Sequence, residues 1–274
     1  MPDLLDLSQM ESVPVNGPLG FQRLNRYWRE PTGDLWDDVW VNTPKEQYWE
    51  GALRGELSAD YSRLFTKYLK DGGRLLEAGC GVGQVVLAMN ARGYECHGLD
   101  FAEGVISMLN GKFPEVPFIC GDIRDIPNED DFFDGYISLG VIEHFEDGQD
   151  QMISEASRVL KKGGHMFLSV PFLNKYRKSK ISKLKYDKQP SLPFFEACYS
   201  VDELRYLCEK NGFELVEQSY QNSVMTFAQE SFIRPLYRLI EDTRFPRNVI
   251  DRFLQLVLPG AWFGHMVMVV AKKL

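Results

Sequence analysis

Between Arg74 and Val170 the chain alternates short apolar runs with helical patterns, and this rhythm constrains the fold more than any other feature. The apolar runs are Arg74–Ala78, Tyr94–Leu99, Val116–Cys120, Phe133–Leu139 and His165–Val170. Between most of them lie the helical patterns Gln84–Arg92, Glu103–Lys112 and Gln149–Leu160. Runs of that length are buried strands, and apolar residues at three- and four-residue intervals mark helices with one inward face. Strand, helix, strand at this pace predicts right-handed crossovers and a parallel sheet covered on both faces. A helix over residues 58–70 precedes the first strand, with Ser58 as N-cap and Asp71-Gly72-Gly73 as its stop. A helix at Val201–Asn211, a strand at Glu214–Ser219 and a final strand within Gly264–Ala271 extend the pattern.

Two regions break the rhythm, at about residues 172–199 and 220–263, and residues 1–57 stand apart as an aromatic-rich extension. That extension holds Trp28, Trp36, Trp40 and Trp49, with Phe21, Tyr27 and Tyr48. It is expected to cap the cofactor cleft, wall an acceptor site, or clamp the sheet's helices. The second insertion contains Phe232–Thr243 and Val249–Leu258 at helical spacing, which reads as an added helical subdomain. A chain of 274 residues with 44% hydrophobic and 26% charged residues suits one α/β domain with such additions, 58–274, rather than two domains. The apolar stretch Phe253–Ala271 is split by Pro259-Gly260 and interrupted by Gln255 and His265, so it is too short to span a bilayer. Five cysteines without a CxxC pair, and an N-terminus without a basic start and apolar run, predict reduced thiols and a cytoplasmic protein. No cluster of His, Cys, Asp and Glu has metal-ligand spacing, and no metal is expected.

The segment Leu75-Leu76-Glu77-Ala78-Gly79-Cys80-Gly81-Val82-Gly83-Gln84 turns the first strand of the alternation into its helix. Its glycines let backbone approach a ligand beyond the carboxyl end of the strand, where open parallel sheets bind. The next strand ends in Gly98-Leu99-Asp100, whose carboxylate can accept hydrogen bonds from ribose hydroxyls. A dinucleotide fingerprint needs its third small residue at the position held by Gln84, and Glu77 within the turn repels a pyrophosphate. A nucleoside carrying a cationic amino group fits better. A nicotinamide-dependent oxidoreductase stays as a less favoured alternative, weakened further by the lack of a Tyr-x-x-x-Lys pair near the fourth or fifth strand.

These residues, with GLDFAE (98–103), GDIRDIP (121–127), FFDGYISLGVIEHF (132–145) and EASRVLKKGGHMFLSVP (155–171), resemble the class I S-adenosylmethionine-dependent methyltransferases of the small-molecule, type 11-like group. The resemblance covers about residues 58–171, 200–220 and the last strand. It implies a Rossmann-like seven-stranded sheet, mostly parallel with the last strand antiparallel and helices on both faces. It also implies S-adenosyl-L-methionine as cofactor, S-adenosyl-L-homocysteine as product, and direct in-line methyl transfer. By the same resemblance Gly79, Cys80 and Gly81 hold the methionine part, and Glu77 orients the turn and the amino group. Asp100 binds the ribose hydroxyls and Phe101 lies against the adenine. Asp122 accepts from the adenine amino group, the Ile123 backbone reads the ring edge, and Leu139 and Gly140 line the path to the methyl. A non-catalytic module that binds the same adenosyl ligands fits this motif set equally.

A sulfonium methyl is already activated, so the protein must mainly align the acceptor and exclude water. A base is needed only for an acceptor that arrives protonated. His144, just past the fourth strand of the alternation, is the candidate base; a structural role in the loop is the alternative. The net charge of −8 argues against a general nucleic-acid partner. Yet Asn174–Lys188 carries seven Lys/Arg against Asp187 alone. Its readings are a solvated charged face, an electropositive lid over a small or medium-sized anionic acceptor, and, on the thin support of Tyr176 and Tyr186 among the basic residues, a nucleic-acid contact. Composition and motifs leave the oligomeric state and any peripheral membrane contact open.

Overall fold

The computed structural model describes residues 10–17, 20–41, 45–184, 189–223, 226, 230 and 257–274. Strands β1 (Glu11–Asn16) and β2 (Gln22–Tyr27) come first, followed by helices α1 (Gly33–Val41), α2 (Glu46–Leu53) and α3 (Ala59–Tyr68). The alternation then runs β3 (Arg74–Ala78), α4 (Gln84–Ala91), β4 (Glu95–Asp100), α5 (Glu103–Lys112), β5 (Phe118–Cys120) and β6 (Phe133–Leu139). After a 3-10 turn at Ile142–His144 come α6 (Gln149–Val159) and β7 (Leu160–Pro171). The remaining described elements are α7 (Lys175–Ile181), β8 (Phe194–Cys198), α8 (Val201–Lys210), β9 (Phe213–Gln221), α9 (Gly260–Phe263) and β10 (Met266–Lys273).

Seven strands form one sheet in the order β5-β4-β3-β6-β7-β10-β9, and β10 alone runs against its neighbours. Consecutive residues of a strand point to opposite faces, so Leu75 and Leu76 enter two different cores. Leu75 joins Leu64, Val86 and Val105 from α3, α4 and α5; Leu76 joins Ile153 and Leu204 from α6 and α8. Chain order reverses between β3, which leads outward to β4 and β5, and β6 on its other side. Such a switch point opens a crevice beyond the carboxyl ends of the strands.

The expected fold class is therefore the one observed, and the local signals hold where contacts are local. Ser58 Oγ accepts from the Tyr61 amide at 3.3 Å and starts α3. α6 ends at Val159, one residue before the predicted limit, and β7 begins at Leu160 rather than His165, turning on Gly163 in the left-handed region. The break in rhythm after residue 171 conceals real structure. There β8 pairs antiparallel with β2, which pairs with β1, giving a second sheet of order β1-β2-β8. β8 is separated from β2 by some 170 residues of chain, and local periodicity carries no sign of such pairing. The two helical patterns of the second insertion lie outside the described residues, apart from Val257 and Leu258.

A buried ion cluster ties these additions together. Arg177 of α7 is fully buried and meets Glu230 at 2.6 Å, the Phe172 carbonyl at 2.6 Å and His265 Nδ1 at 2.9 Å. Arg26 of β2 bonds Glu196 of β8 and reaches Glu230 at 3.0 Å. Burial alone raises the Glu230 carboxyl, but the two guanidiniums overcome it and hold the group well below the usual range. Buried charges persist when each finds a partner, as these do. Among the described residues no helix is long and apolar enough to cross a membrane, and all five cysteines are free.

Candidate active site

The glycine turn after β3 is built by backbone. Gly79 and Cys80 both donate their amides to the Leu99 carbonyl, at 2.7 and 3.0 Å, which pins the turn to the end of β4. Gly79 sits at φ +82°, and a Cβ there would lie 2.3 Å from a Val141 methyl, so only glycine lets the two turns approach. Gly83 at φ +73° precedes α4, and a Cβ there would strike the Phe118 ring at 2.9 Å. The third glycine thus serves helix and strand packing.

Asp100 closes the same turn from β4. One carboxylate oxygen accepts from Gly81 N at 2.8 Å and the other from Ala102 N at 3.0 Å. The Phe101 amide also bears on this carboxylate, whose two oxygens offer about four acceptor sites in all. Burial raises this carboxyl above its ordinary value, and the amides oppose the rise.

Asp100 lines a cavity of about 320 Å³ over the switch point, together with Gly79, Phe101, Asp122, Ile123, Leu139, Gly140 and His144. That volume is at the small end of ligand sites. The remaining lining residues are Pro31, Trp36, Trp40, Arg124, Val141 and Phe145. Three residues expected at the cofactor do not line it. Glu77 is buried, and one of its oxygens accepts from the Val86 amide at 3.1 Å, capping α4, whose N-cap glycine has no side chain to do so. Burial pushes its carboxyl up to about 8. Cys80 is a buried thiol raised well above its usual value by burial, and Gly81 lies under Trp40, which a Cβ would meet at 3.0 Å.

The outer wall comes from the N-terminal segment. Trp36 and Trp40 share one face of α1 at helical spacing and stack with centroids 6.1 Å apart. Asp37, on the same helix, accepts from Gly104 and Val105 amides at 3.2 and 2.9 Å and so caps α5. Trp49 Nε1 donates to the Val82 carbonyl at 2.8 Å. The extension is thereby bonded to the domain on both sides of the glycine turn. The i, i+4 spacing pairs Trp36 and Trp40, and of the places expected for the extension these two line the cavity while Asp37 and Trp49 fasten it to the domain.

His144 stands between the walls. Its Nδ1 lies 2.9 Å from the Phe195 carbonyl of β8. A carbonyl only accepts, so Nδ1 carries the hydrogen and the neutral ring keeps its lone pair on Nε2. Burial lowers the pKa below the ordinary 6.5, while Glu196 and the Phe195 bond oppose that. The rings of Trp36 and Phe195 meet the imidazole edgewise at 4.8 and 4.9 Å. Glu143 is buried in the same turn, and burial raises its carboxyl well above the usual range.

Across the cavity Asp122 is engaged by Arg124, with contacts of 2.5 and 2.9 Å, and this bond lowers the carboxyl. The Arg124 guanidinium also lies over Phe145 at 5.2 Å. No described residue of the basic segment lines the cavity. Lys175 lies over Trp262 and Lys180 reaches the Glu230 carbonyl, while Lys178 and Lys183 are exposed. Lys185, Tyr186 and Lys188 fall outside the described residues. Among the described residues no group of three metal-ligating side chains occurs.

The residues present fit an adenosyl amino acid. A glycine turn too tight for side chains, a carboxylate with free acceptor sites at the end of β4, and the apolar Phe101 and Ile123 face one cavity. Residues 76–168 match the family model described as a methyltransferase domain. The chain is 31% identical over 144 residues to a protein of Mycolicibacterium smegmatis named a probable S-adenosylmethionine-dependent methyltransferase, covering 53% of each. The chain therefore spans about half the length of that relative. Among solved structures, it resembles a SAM-dependent methyltransferase from Methanosarcina mazei, with TM-score 0.55, 16% identity and coverage of 77% of this chain and 97% of that one. It also resembles the cyclase SpnF, with TM-score 0.57, 17% identity and coverage of 90% and 98%. These two likenesses concern the fold. Taken together, the matched residues 76–168 and the seven-stranded topology make the chain similar to S-adenosylmethionine-dependent methyltransferases.

Proposed function

We propose that this chain transfers the methyl group of S-adenosylmethionine to a small or medium-sized acceptor by direct in-line displacement. The observation that carries the reading is one cavity shared by Gly79, Asp100, Phe101, Asp122, Ile123 and Gly140 at the switch point. Asp100 binds the ribose hydroxyls with the acceptor sites its amide bonds leave free. Phe101 and Ile123 bound the adenine, and Asp122 accepts from its amino group once Arg124 yields one oxygen. Gly81 and Cys80 shape the turn from behind, and Glu77 acts on it through α4 rather than by contact. The bound cofactor supplies an activated methyl carbon; the protein orients the acceptor and keeps water out.

His144 is the proton acceptor in this reading, with Nε2 as the base. The acceptor is uncharged where it enters the cavity. Its lining cation, Arg124, is already neutralised by Asp122, and Arg177, the buried cation of the basic segment, is held by Glu230.

A calorimetric panel of S-adenosylmethionine, S-adenosylhomocysteine, NAD and NADP tests the cofactor. Binding of a nicotinamide cofactor with neither adenosyl ligand overturns the reading. The cyclase SpnF illustrates that a related fold need not carry a methyltransferase name, so the binding-module alternative is tested separately. Adenosyl binding without any conversion of S-adenosylmethionine to S-adenosylhomocysteine across neutral, anionic and cationic acceptors favours that alternative.

A further inference from the structure

The cavity carries aromatic lining beyond Phe101, which the adenosyl reading assigns to adenine. Trp36 and His144 line it with ring centroids 4.8 Å apart, Pro31 and Phe145 line it too, and Phe195 backs Trp36 at 6.4 Å. Phe145 lies under Arg124, the partner of Asp122, and His144 has its Nδ1 held by β8. Flat apolar surfaces favour a planar ring in stacked or edge-on contact. A carboxylate or phosphate entering there would lose its hydration, and among the described lining residues the one cation, Arg124, is paired with Asp122. A neutral imidazole with its lone pair on Nε2 serves only an acceptor that brings a proton.

Resting on the methyl-transfer reading above, we propose that the acceptor is a neutral planar aromatic hydroxyl, seated against Trp36 with its hydroxyl toward His144 Nε2. The hydroxyl proton passes to Nε2 as its oxygen bonds the methyl carbon. The carbon–sulfur bond breaks with its electron pair left on sulfur, so a sulfonium and a phenol become a thioether, an aryl methyl ether and an imidazolium. Phe195 is a positioning residue: its carbonyl fixes the tautomer, and its ring supports Trp36. The imidazolium formed is faced by Glu196 from β8, itself bonded to Arg26, and by Glu143 in its own turn. Asp100 and the Asp122–Arg124 pair line the same cavity, and Asp37 of α1 is committed to the α5 amides.

The experiment titrates 4-methylphenol, 4-methylbenzoate, 4-methylphenyl phosphate and 4-methylcyclohexanol into the full chain by calorimetry, at S-adenosylhomocysteine concentrations that saturate each variant. We expect 4-methylphenol to bind about tenfold tighter than each of the others, a difference of about 1.4 kcal/mol. Trp36→Ala removes that preference and Trp36→Phe restores most of it. His144→Asn keeps a donor toward the Phe195 carbonyl; it retains phenol binding and loses turnover. With the wild type, turnover of 4-methylphenol rises with pH to a plateau through one midpoint below 6.5. Tighter binding of either anion, equal binding of the cyclohexanol, or a phenol preference that survives Trp36→Ala overturns the inference. Absence of S-adenosylhomocysteine binding by the wild type instead breaks the methyl-transfer reading itself.

Discussion

The two walls of the cavity are made by different means. The inner wall, from the ends of β3, β4 and β6, is a backbone structure: amides of Gly79, Cys80, Gly81 and Ala102 bond Leu99 and Asp100 within a short stretch of chain. The outer wall is made of side chains from α1, with β8 holding His144 from behind, segments that meet only through tertiary contact. A backbone wall tolerates little variation, because a Cβ at Gly79 would overlap Val141. The side-chain wall can change its rings without moving the sheet. In the proposed reading the cofactor is held by the first wall and the acceptor by the second.

Substitutions can break this division, and the largest effect is expected at Glu77. Its folded carboxyl titrates at about 8 against an ordinary 4.5, so the folded chain binds the more protons between those values. Stability conferred by the protonated group is therefore present below the unfolded value and is lost as pH rises through 8, by an amount on the order of a few kcal/mol. Glu77→Gln is expected to flatten that slope in ligand-free urea melts between pH 5 and 8; an unchanged slope assigns it elsewhere.

Next in size is Asp100→Ala, which removes the ribose acceptor and two amide bonds of the turn. Charge-assisted bonds of this kind contribute about 1.5–3 kcal/mol, or about ten- to a hundredfold in affinity for S-adenosylhomocysteine. Unchanged affinity in calorimetry removes Asp100 from the ribose and blurs the inner wall's assignment.

The smallest effect sharpens how the outer wall is fastened. Asp37→Ala leaves the Gly104 and Val105 amides without their cap, at a cost of about 1 kcal/mol. In a chain of this size that lowers the melting temperature by about 2–4 °C. Phenol affinity is expected to fall with it, since α1 carries Trp36; a stability loss without any change at the acceptor end would separate α1 docking from acceptor choice.

The alternation of strands and helices, the parallel sheet it builds and the glycine turn at the inner wall are legible along the chain, and the seven-stranded count follows from the resemblance its motifs carry. The first three depend on periodicity, glycine conformation and a carboxylate at a strand end, all local properties that neighbouring residues encode. Gly79, Asp100 and Leu139 were legible for that reason. The folded chain alone shows that Glu77 caps α4 instead of facing the cavity and that Arg177 of the basic segment is buried on Glu230. It alone joined β8 to β2 and brought Trp36 to His144, across more than a hundred residues of chain. Those contacts follow from burial of aromatic surface and pairing of buried charge, which act on whatever the fold brings near and leave no periodic trace along the chain.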